Sequence, residues 1–396
     1  SQPDPDAAFN LSEEEEDSEE GKDPTEDPTE NPTENPTENP TDNPAATPTA
    51  NPKKDAVYEY APADPEPEQQ ATKLTLSAAD APAAETPEAT LADAAPAAAP
   101  TTPTAPAAAP PAEGSAGNPS KNVIRVINNW AEKVLNIRLS NVNIKQDYNS
   151  TYADGTKEWR DSYNYGVSAA EVQGTGNTKI ELDGKNVLDS TDCGGWAGLS
   201  KKGSGNLTIT DETNDKGKTI TAKEEADTSG SLRAEGGTYG GAAIGGSCGQ
   251  ATDNITIEGY ATVKANTLGY DAAGIGGGGS AKGSNITIQG HANVTADGGL
   301  SGAGIGGGSR IGNGCGGDAE NITIQDYAKV TATGTEGAAI GSGSAYDNRN
   351  NKKSGDAKNI VIRGHARVNA KSKSGAAIGA AGKGKDASAK VIIGTE

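Results

Sequence analysis

The chain has 396 residues with a formal net charge of −21, 53 glycines, 22 prolines, three cysteines, one phenylalanine and no methionine. At roughly 150 residues per domain this length suggests two or three domains, but every proline lies between Pro3 and Pro119, and only 3 of the 53 glycines precede residue 121. Residues 1–120 hold 26 acidic residues against 4 lysines, and residues 121–396 hold 29 against 30 basic ones, so an acidic N-terminal stretch precedes a nearly neutral body. That balance leaves no basic footprint for nucleic acid, and no apolar run is long enough to span a membrane.

In chain order, Ser1 carries neither a Met nor a charged, apolar leader, as in a mature secreted chain or an excised piece. Glu13-Glu14-Glu15-Glu16-Asp17-Ser18-Glu19-Glu20 repels itself and cannot bury a core. A four-residue repeat follows, from Asp23-Pro24-Thr25-Glu26 to Asn39-Pro40-Thr41-Asp42. Its prolines fix φ and remove donors, which predicts an extended, disordered stalk. Residues 78–111 turn Ala/Pro-rich, again a spacer. Val57-Tyr58-Glu59-Tyr60 and Lys73-Leu74-Thr75-Leu76 are the only apolar islands. They read as adhesive points in a disordered segment or as short partner-binding motifs, and nothing before residue 120 is expected to add a strand. The boundary falls at 120/121. Val123–Ile127 with Trp130 is expected to form an N-terminal cap, about 121–133, over the end of the first coil.

The body copies itself. Asn254-Ile255-Thr256-Ile257-Glu258-Gly259-Tyr260-Ala261-Thr262-Val263 aligns with runs starting at Asn285, Asn321 and Asn359, and a partial copy lies at Lys390-Val391-Ile392-Ile393. Each full copy leads to a Gly-rich element: Ala273-Gly274-Ile275-Gly276, Ala303-Gly304-Ile305-Gly306, Ala339-Ile340-Gly341 and Ala377-Ile378-Gly379. Diverged copies begin near Leu135, Asn177 and Asn206. Apolar residues alternate with period two, the strand period, rather than at helical spacings of three and four. A repeat of this length holds three short strands that cannot bury their faces alone, but stacked coils can. The fold class predicted is all-β: a right-handed parallel β-helix of about seven coils over 121–396, behind the disordered acidic stalk.

Stacking at about 4.8 Å aligns equivalent side chains into ladders. Asn206, Asn254, Asn285, Asn321 and Asn359 recur at the turn before a strand, where stacked amides bond to one another; the first four also read as glycosylation sequons, but on inward turns they would be poor acceptors. Tyr260, His291, Tyr327 and His365 share one position, so the only two histidines belong to a ring stack rather than to a catalytic or metal site.

The Gly-Ala-Gly-Ile-Gly-Gly-Gly run at 302–308, following Asn-Ile-Thr-Ile and Ala-Asn-Val-Thr-Ala, resembles a repeat of large secreted or wall-attached surface proteins of Gram-positive bacteria. There it sits in parallel β-helix regions labelled carbohydrate-binding-like. The resemblance covers about 121–396, is specific for architecture and weak for ligand, and implies a secreted or cell-surface location. The Leu-Pro-x-Thr-Gly sorting signal is absent from the sequence given.

Other chemistry finds little support. Gly302-x-Gly304-x-x-Gly307 matches a dinucleotide fingerprint formally, but no helical pattern follows, and the glycines read as tight corners. Cys193, Cys248 and Cys315 lack zinc spacing; a Cys193–Cys248 bridge between neighbouring coils is the alternative to free thiols. No cofactor is expected; Ca²⁺ between loops would rest on Asp271, Asp318, Asp347 and Asp356. A lyase or hydrolase needs clustered carboxylates, yet Glu258, Gln289, Gln325 and Arg363 share one outward position. The expected function is therefore non-catalytic binding of a polysaccharide or cell-surface glycan. The binding residues would be Thr256, Thr287 and Thr323 with Tyr260, His291, Tyr327 and His365, and the loops 276–284, 306–320, 341–358 and 379–389 would set specificity. The alternatives are a spacer rod displaying other domains, a β-helix polysaccharide lyase or hydrolase and, more remotely, ice binding through the Thr row.

Overall fold

The computed structural model describes residues 119–150, 165–213, 219, 230–309, 315–345 and 353–382, together with the backbone of strands at 56–60, 73–77 and 389–393. The acidic block, the Pro-Thr-Glu repeats and the Ala/Pro spacer, with the disorder expected of them, lie outside the described residues, as does Asp347. The chain divides into a unit Ser1–Asn51, also outside the described residues, and a unit Pro52–Glu396 that holds every strand.

Three sheets of parallel strands make up the body. The first contains β1 (Ala56–Tyr60), β3 (Ile124–Asn128), β6 (Ala170–Gln173), β9 (Leu199–Lys201), β12 (Ile244–Gly245), β15 (Ile275–Gly276), β18 (Ile305–Gly306), β21 (Ile340–Gly341) and β24 (Ile378–Gly379). The second contains β2 (Lys73–Ser77), β4 (Val134–Ser140), β7 (Asn177–Asp183), β10 (Leu207–Thr210), β13 (Ile255–Ile257), β16 (Gly283–Ile288), β19 (Ala319–Ile324), β22 (Ala357–Ile362) and β25 (Ala389–Ile393). The third contains β5 (Asn143–Lys145), β8 (Lys185–Asp189), β11 (Ser231–Gly236), β14 (Thr262–Thr267), β17 (Asn293–Asp297), β20 (Lys329–Gly334) and β23 (Arg367–Ser372). The chain visits the sheets in that order, giving seven complete coils from β3–β5 to β21–β23. This is a parallel β-helix.

The repeat alignment is the strand register. Ile255, Ile286, Ile322 and Ile360 stand in one row, as do Val263, Val294, Val330 and Val368, and Ile244, Ile275, Ile305, Ile340 and Ile378. The Ile rows of the second sheet face the Val and Ala rows of the third and the single Ile row of the first. From Ile255 to Ile340 their members are at most 2% exposed. Such burial is the main stabilising term for coils that have no core of their own.

Glycine at the end of each short first-sheet strand has a steric cause. Gly245, Gly276, Gly306, Gly341 and Gly379 have φ between +125° and +145°, and a Cβ on Gly306 would collide with the carbonyl of Gly341. Only glycine bends there and lets the next coil approach. The segments after this corner, expected to set specificity, are tightly packed near the corner: Gly277 N donates to Gly306 O (2.9 Å) and Gly307 N to Gly341 O (3.0 Å) of the next coil, and Ser309, Ser342 and Ser344 are fully buried. Residues 310–314, 346–352 and 383–388 of those loops lie outside the described residues.

Two further expectations are corrected. Two strands do precede residue 120: β1 pairs with β3 along Ala56–Tyr60, and β2 with β4 along Lys73–Ser77. The stretch expected as a cap is itself strand β3, paired on one side with β6 and on the other with β1, because its alternation places Ile124, Val126 and Asn128 inward. Of the two readings of the cysteines the free-thiol one holds: Cys193, Cys248 and Cys315 are unbridged.

Candidate functional site

The second sheet and the turn that follows it present four outward positions per coil, two residues apart, repeated through four coils. The first is the Asn row. Asn254, Asn285, Asn321 and Asn359 adopt φ of 51–56°, where Asn is tolerated far better than most residues. Their amides form a chain: Asn285 Nδ2 donates to Asn254 Oδ1 (3.1 Å), Asn321 to Asn285 (2.9 Å) and Asn359 to Asn321 (2.9 Å). The last three of these residues are exposed, not inward as expected; the ladder, not burial, occupies their nitrogens. Asn206 stands outside this chain, donating instead to Thr208 Oγ1 (2.9 Å).

The second position is the Thr row, in which Thr208, Thr256, Thr287 and Thr323 are in register, half-buried, and followed by Val361. The third is a row whose cooperation the sequence reading missed. Gln289 Nε2 donates to Glu258 Oε2 (2.7 Å), Gln325 Nε2 to Gln289 Oε1 (2.7 Å), and Arg363 Nε to Gln325 Oε1 (2.8 Å). The acid at one end and the guanidinium at the other polarise the amides between them in one direction. The aligned column Glu, Gln, Gln, Arg was the available signal.

The fourth position is the ring stack. Centroids of Tyr260 and His291 lie 4.8 Å apart, His291 and Tyr327 5.0 Å, and Tyr327 and His365 4.9 Å, with interplanar angles of 15°, 8° and 20°. These spacings are those of the strands themselves. Tyr327 is 52% exposed. Because the rings cover one another's faces, the stack offers its edges, a row of phenol and imidazole groups, to solvent.

Beside these rows, Lys282 binds Glu320 and holds its carboxyl below the ordinary value through that hydrogen bond. The beta helix repeat family is matched over residues 255–279, 286–309 and 322–344. Each matched segment starts one residue after the Asn row and runs from a second-sheet strand, through the third sheet, to the following Ile-Gly strand, so it takes in the other three rows of one coil. No curated protein and no solved structure matches the chain.

Of the acids expected to favour Ca²⁺, Asp347 lies outside the described residues, and Asp271, Asp318 and Asp356 do not converge on one point. Asp356 N donates to Asp318 Oδ1 (2.8 Å), Asp356 Oδ2 lies 3.6 Å from Lys358 Nζ, and Asp271 is buried. Among the described residues no three His, Cys, Asp or Glu side chains converge. The structure thus brings all seven sequence-predicted residues onto one face: Thr256, Thr287 and Thr323 in one row, and Tyr260, His291, Tyr327 and His365 in another.

Proposed function

We propose that the β-helix is a non-catalytic binding module of a secreted or cell-surface protein. Its ladder face holds an extended glycan or similar surface polymer lying along the coil axis. The observation that carries this reading is the translational repeat of the face: hydroxyl, amide and ring-edge groups recur every coil at 4.8–5.0 Å, as the ring spacings record. A polymer with its own repeating hydroxyls meets such a surface many times over, and weak contacts add through effective concentration. Sugar rings cannot stack on the ring faces, which are spent on each other, so contact runs through hydrogen bonds at the edges. The single acid of the Glu258 row is already hydrogen-bonded to Gln289, which favours binding over hydrolysis or elimination at this face.

The test is co-sedimentation with insoluble cell-wall and plant polysaccharides, with release of unsaturated products or new reducing ends monitored in the same tubes. Retention that falls in a His291→Ala/Tyr327→Ala double variant supports the reading. No retention on any polymer, or retention indifferent to those residues, overturns it and leaves the spacer rod, a reading favoured by the mutual covering of the rings.

A further inference from the structure

The turns after β5, β8 and β11, in the first three complete coils, border a groove that the ladder rows do not enter. After β5 the chain turns at Asp147, whose Oδ1 accepts from Asn149 N (2.9 Å) and Ser150 Oγ (3.3 Å). After β8 it turns at Asp189, whose Oδ1 accepts from Thr191 N (2.9 Å) and Thr191 Oγ1 (2.7 Å). Gln146 N, donating to Asp189 O (2.8 Å), ties the two turns together. Between them opens a groove of about 590 Å³ lined by Asp147, Tyr148, Tyr165, Thr191, Asp192 and Thr238. This lies within the roughly 300–1,000 Å³ typical of small-ligand sites.

The lining selects one ligand chemistry. Tyr148 and Tyr165 meet edge to face, centroids 6.2 Å apart and planes at 89°, and Tyr148 is 59% exposed. Unlike the stacked rings of the ladder, this pair leaves apolar ring surface open to a ligand, with hydroxyls beside it. Asp147 Oδ2 is held by Lys121 Nζ (2.6 Å) and Asp192 Oδ2 by Lys145 Nζ (3.1 Å). Lys145 Nζ also lies 3.8 Å from Asp189 Oδ2, so two ammonium groups stand against three carboxylates. Asp147 and Asp192 still accept hydrogen bonds, neither lysine is left to recruit an anion, and the acids would repel one. Burial, with Tyr239, Cys193 and Asp192 nearby, raises the Tyr165 phenol above its ordinary value and keeps it a neutral donor. Flat apolar surface beside ion-paired acceptors fits a molecule with one apolar face and a rim of hydroxyls.

We propose that this groove binds a short neutral saccharide, packed on Tyr148 and Tyr165, with its hydroxyls donating to Asp147 and Asp192. The site is separate from the ladder face and stands or falls independently of it.

The experiment is calorimetric titration of the full chain with short neutral oligosaccharides of the cello-, xylo-, manno- and malto-series, with tetramethylammonium and oligogalacturonate as contrasting probes. At least one neutral series is expected to bind with a dissociation constant of about 0.1–1 mM. Tyr148→Ala should weaken it about tenfold, the loss of one well-packed aromatic contact, and Asp192→Ala should weaken it too. Tyr327→Ala, on the ladder face, should leave it unchanged. Because Tyr148 is largely exposed, its variant should keep the parent's melting temperature, which controls for misfolding. No binding by any neutral series, binding indifferent to Tyr148→Ala, or tighter binding of tetramethylammonium or oligogalacturonate would overturn the proposal. Cleavage of the bound oligosaccharide would overturn its assignment as a binding site.

Discussion

Asn321 separates two contributions that the Asn ladder combines. It sits at φ 56°, donates through Nδ2 to Asn285 Oδ1 (2.9 Å) and accepts at Oδ1 from Asn359 Nδ2 (2.9 Å). Asn321→Ala places a Cβ residue in the left-handed region without a polar group to compensate, costing roughly 1–2 kcal/mol, and deletes two exposed hydrogen bonds worth about 0.5–1 kcal/mol each. The expected loss is about 2–4 kcal/mol, or roughly 2–4 °C of melting temperature per kcal/mol for a domain of this size. Asn321→Gly relieves the backbone but loses both bonds, for about 1–2 kcal/mol. Asn321→Asp tolerates the backbone and keeps the acceptor, for about 0.5–1 kcal/mol. Urea denaturation, read only where the m-value is unchanged, should rank the four chains Asn, Asp, Gly, Ala from most to least stable. Equal stability of the Ala and Gly variants would refute the strain argument, and a Gly variant as stable as the parent would refute the amide ladder.

Ile305, fully buried in register with Ile275 and Ile340, should lose about 2–5 kcal/mol on substitution by Ala, checked by the same denaturation series. Burial pushes the Cys193 thiol up to about 12, whereas Cys315 is exposed; iodoacetamide at mildly alkaline pH should therefore label Cys315 in the native chain and spare Cys193. The raised thiol also sets a sign. Folding keeps Cys193 protonated where the unfolded chain has released its proton, so stability is full below pH 9 and falls between pH 9 and 12. A Cys193→Ala chain should lose less stability than the parent over that window.

The coils were legible because one physical requirement fixes both pattern and fold: a repeat that stacks must place like on like, so aligned residues become ladders. Period-two isoleucines, the ring column and the corner glycines all follow from it. What escaped the reading depends on context that alignment does not carry. The Glu258–Arg363 row mixes an acid, two amides and a guanidinium whose cooperation shows only once amide directions are known, and the Tyr148–Tyr165 groove is built by turns of three diverged coils. The strands β1 and β2 were masked by composition, since prolines flank both. The signal was their spacing. Twelve residues separate Tyr60 from Lys73, the same number that separate Gly306 from Ala319 in a coil of the body. Leu74 and Leu76 also fall at the register positions of Ile137 and Leu139.

Those two strands give the coil stack its closed end. Over the first complete coil, β1 covers β3, β2 covers β4, and Ser120 bridges to Ile144 beside β5. Under that cover Ile124, Val126, Leu135, Ile137 and Leu139 are at most 8% exposed. At the opposite end of the third sheet, where among the described residues no strand follows β23, Val368 and Ala370 are only half-buried, while Val330 and Ala332 one coil inward are at most 2% exposed. Deleting residues 1–112 removes β1 and β2 and leaves Ser120 in place. Half-uncovering five apolar side chains costs about 4–7 kcal/mol. The melting temperature is expected to fall, and the open sheet edge promotes association. Deleting only residues 1–50 keeps both strands and should leave the melting temperature unchanged. Hydrogen exchange should quicken at Ile124–Asn128 and Val134–Ser140 in the longer deletion alone. Equal melting temperatures and equal protection in the two deletions would show that the strands contribute nothing to the body, and that the first coil is closed by Ser120 and its own residues.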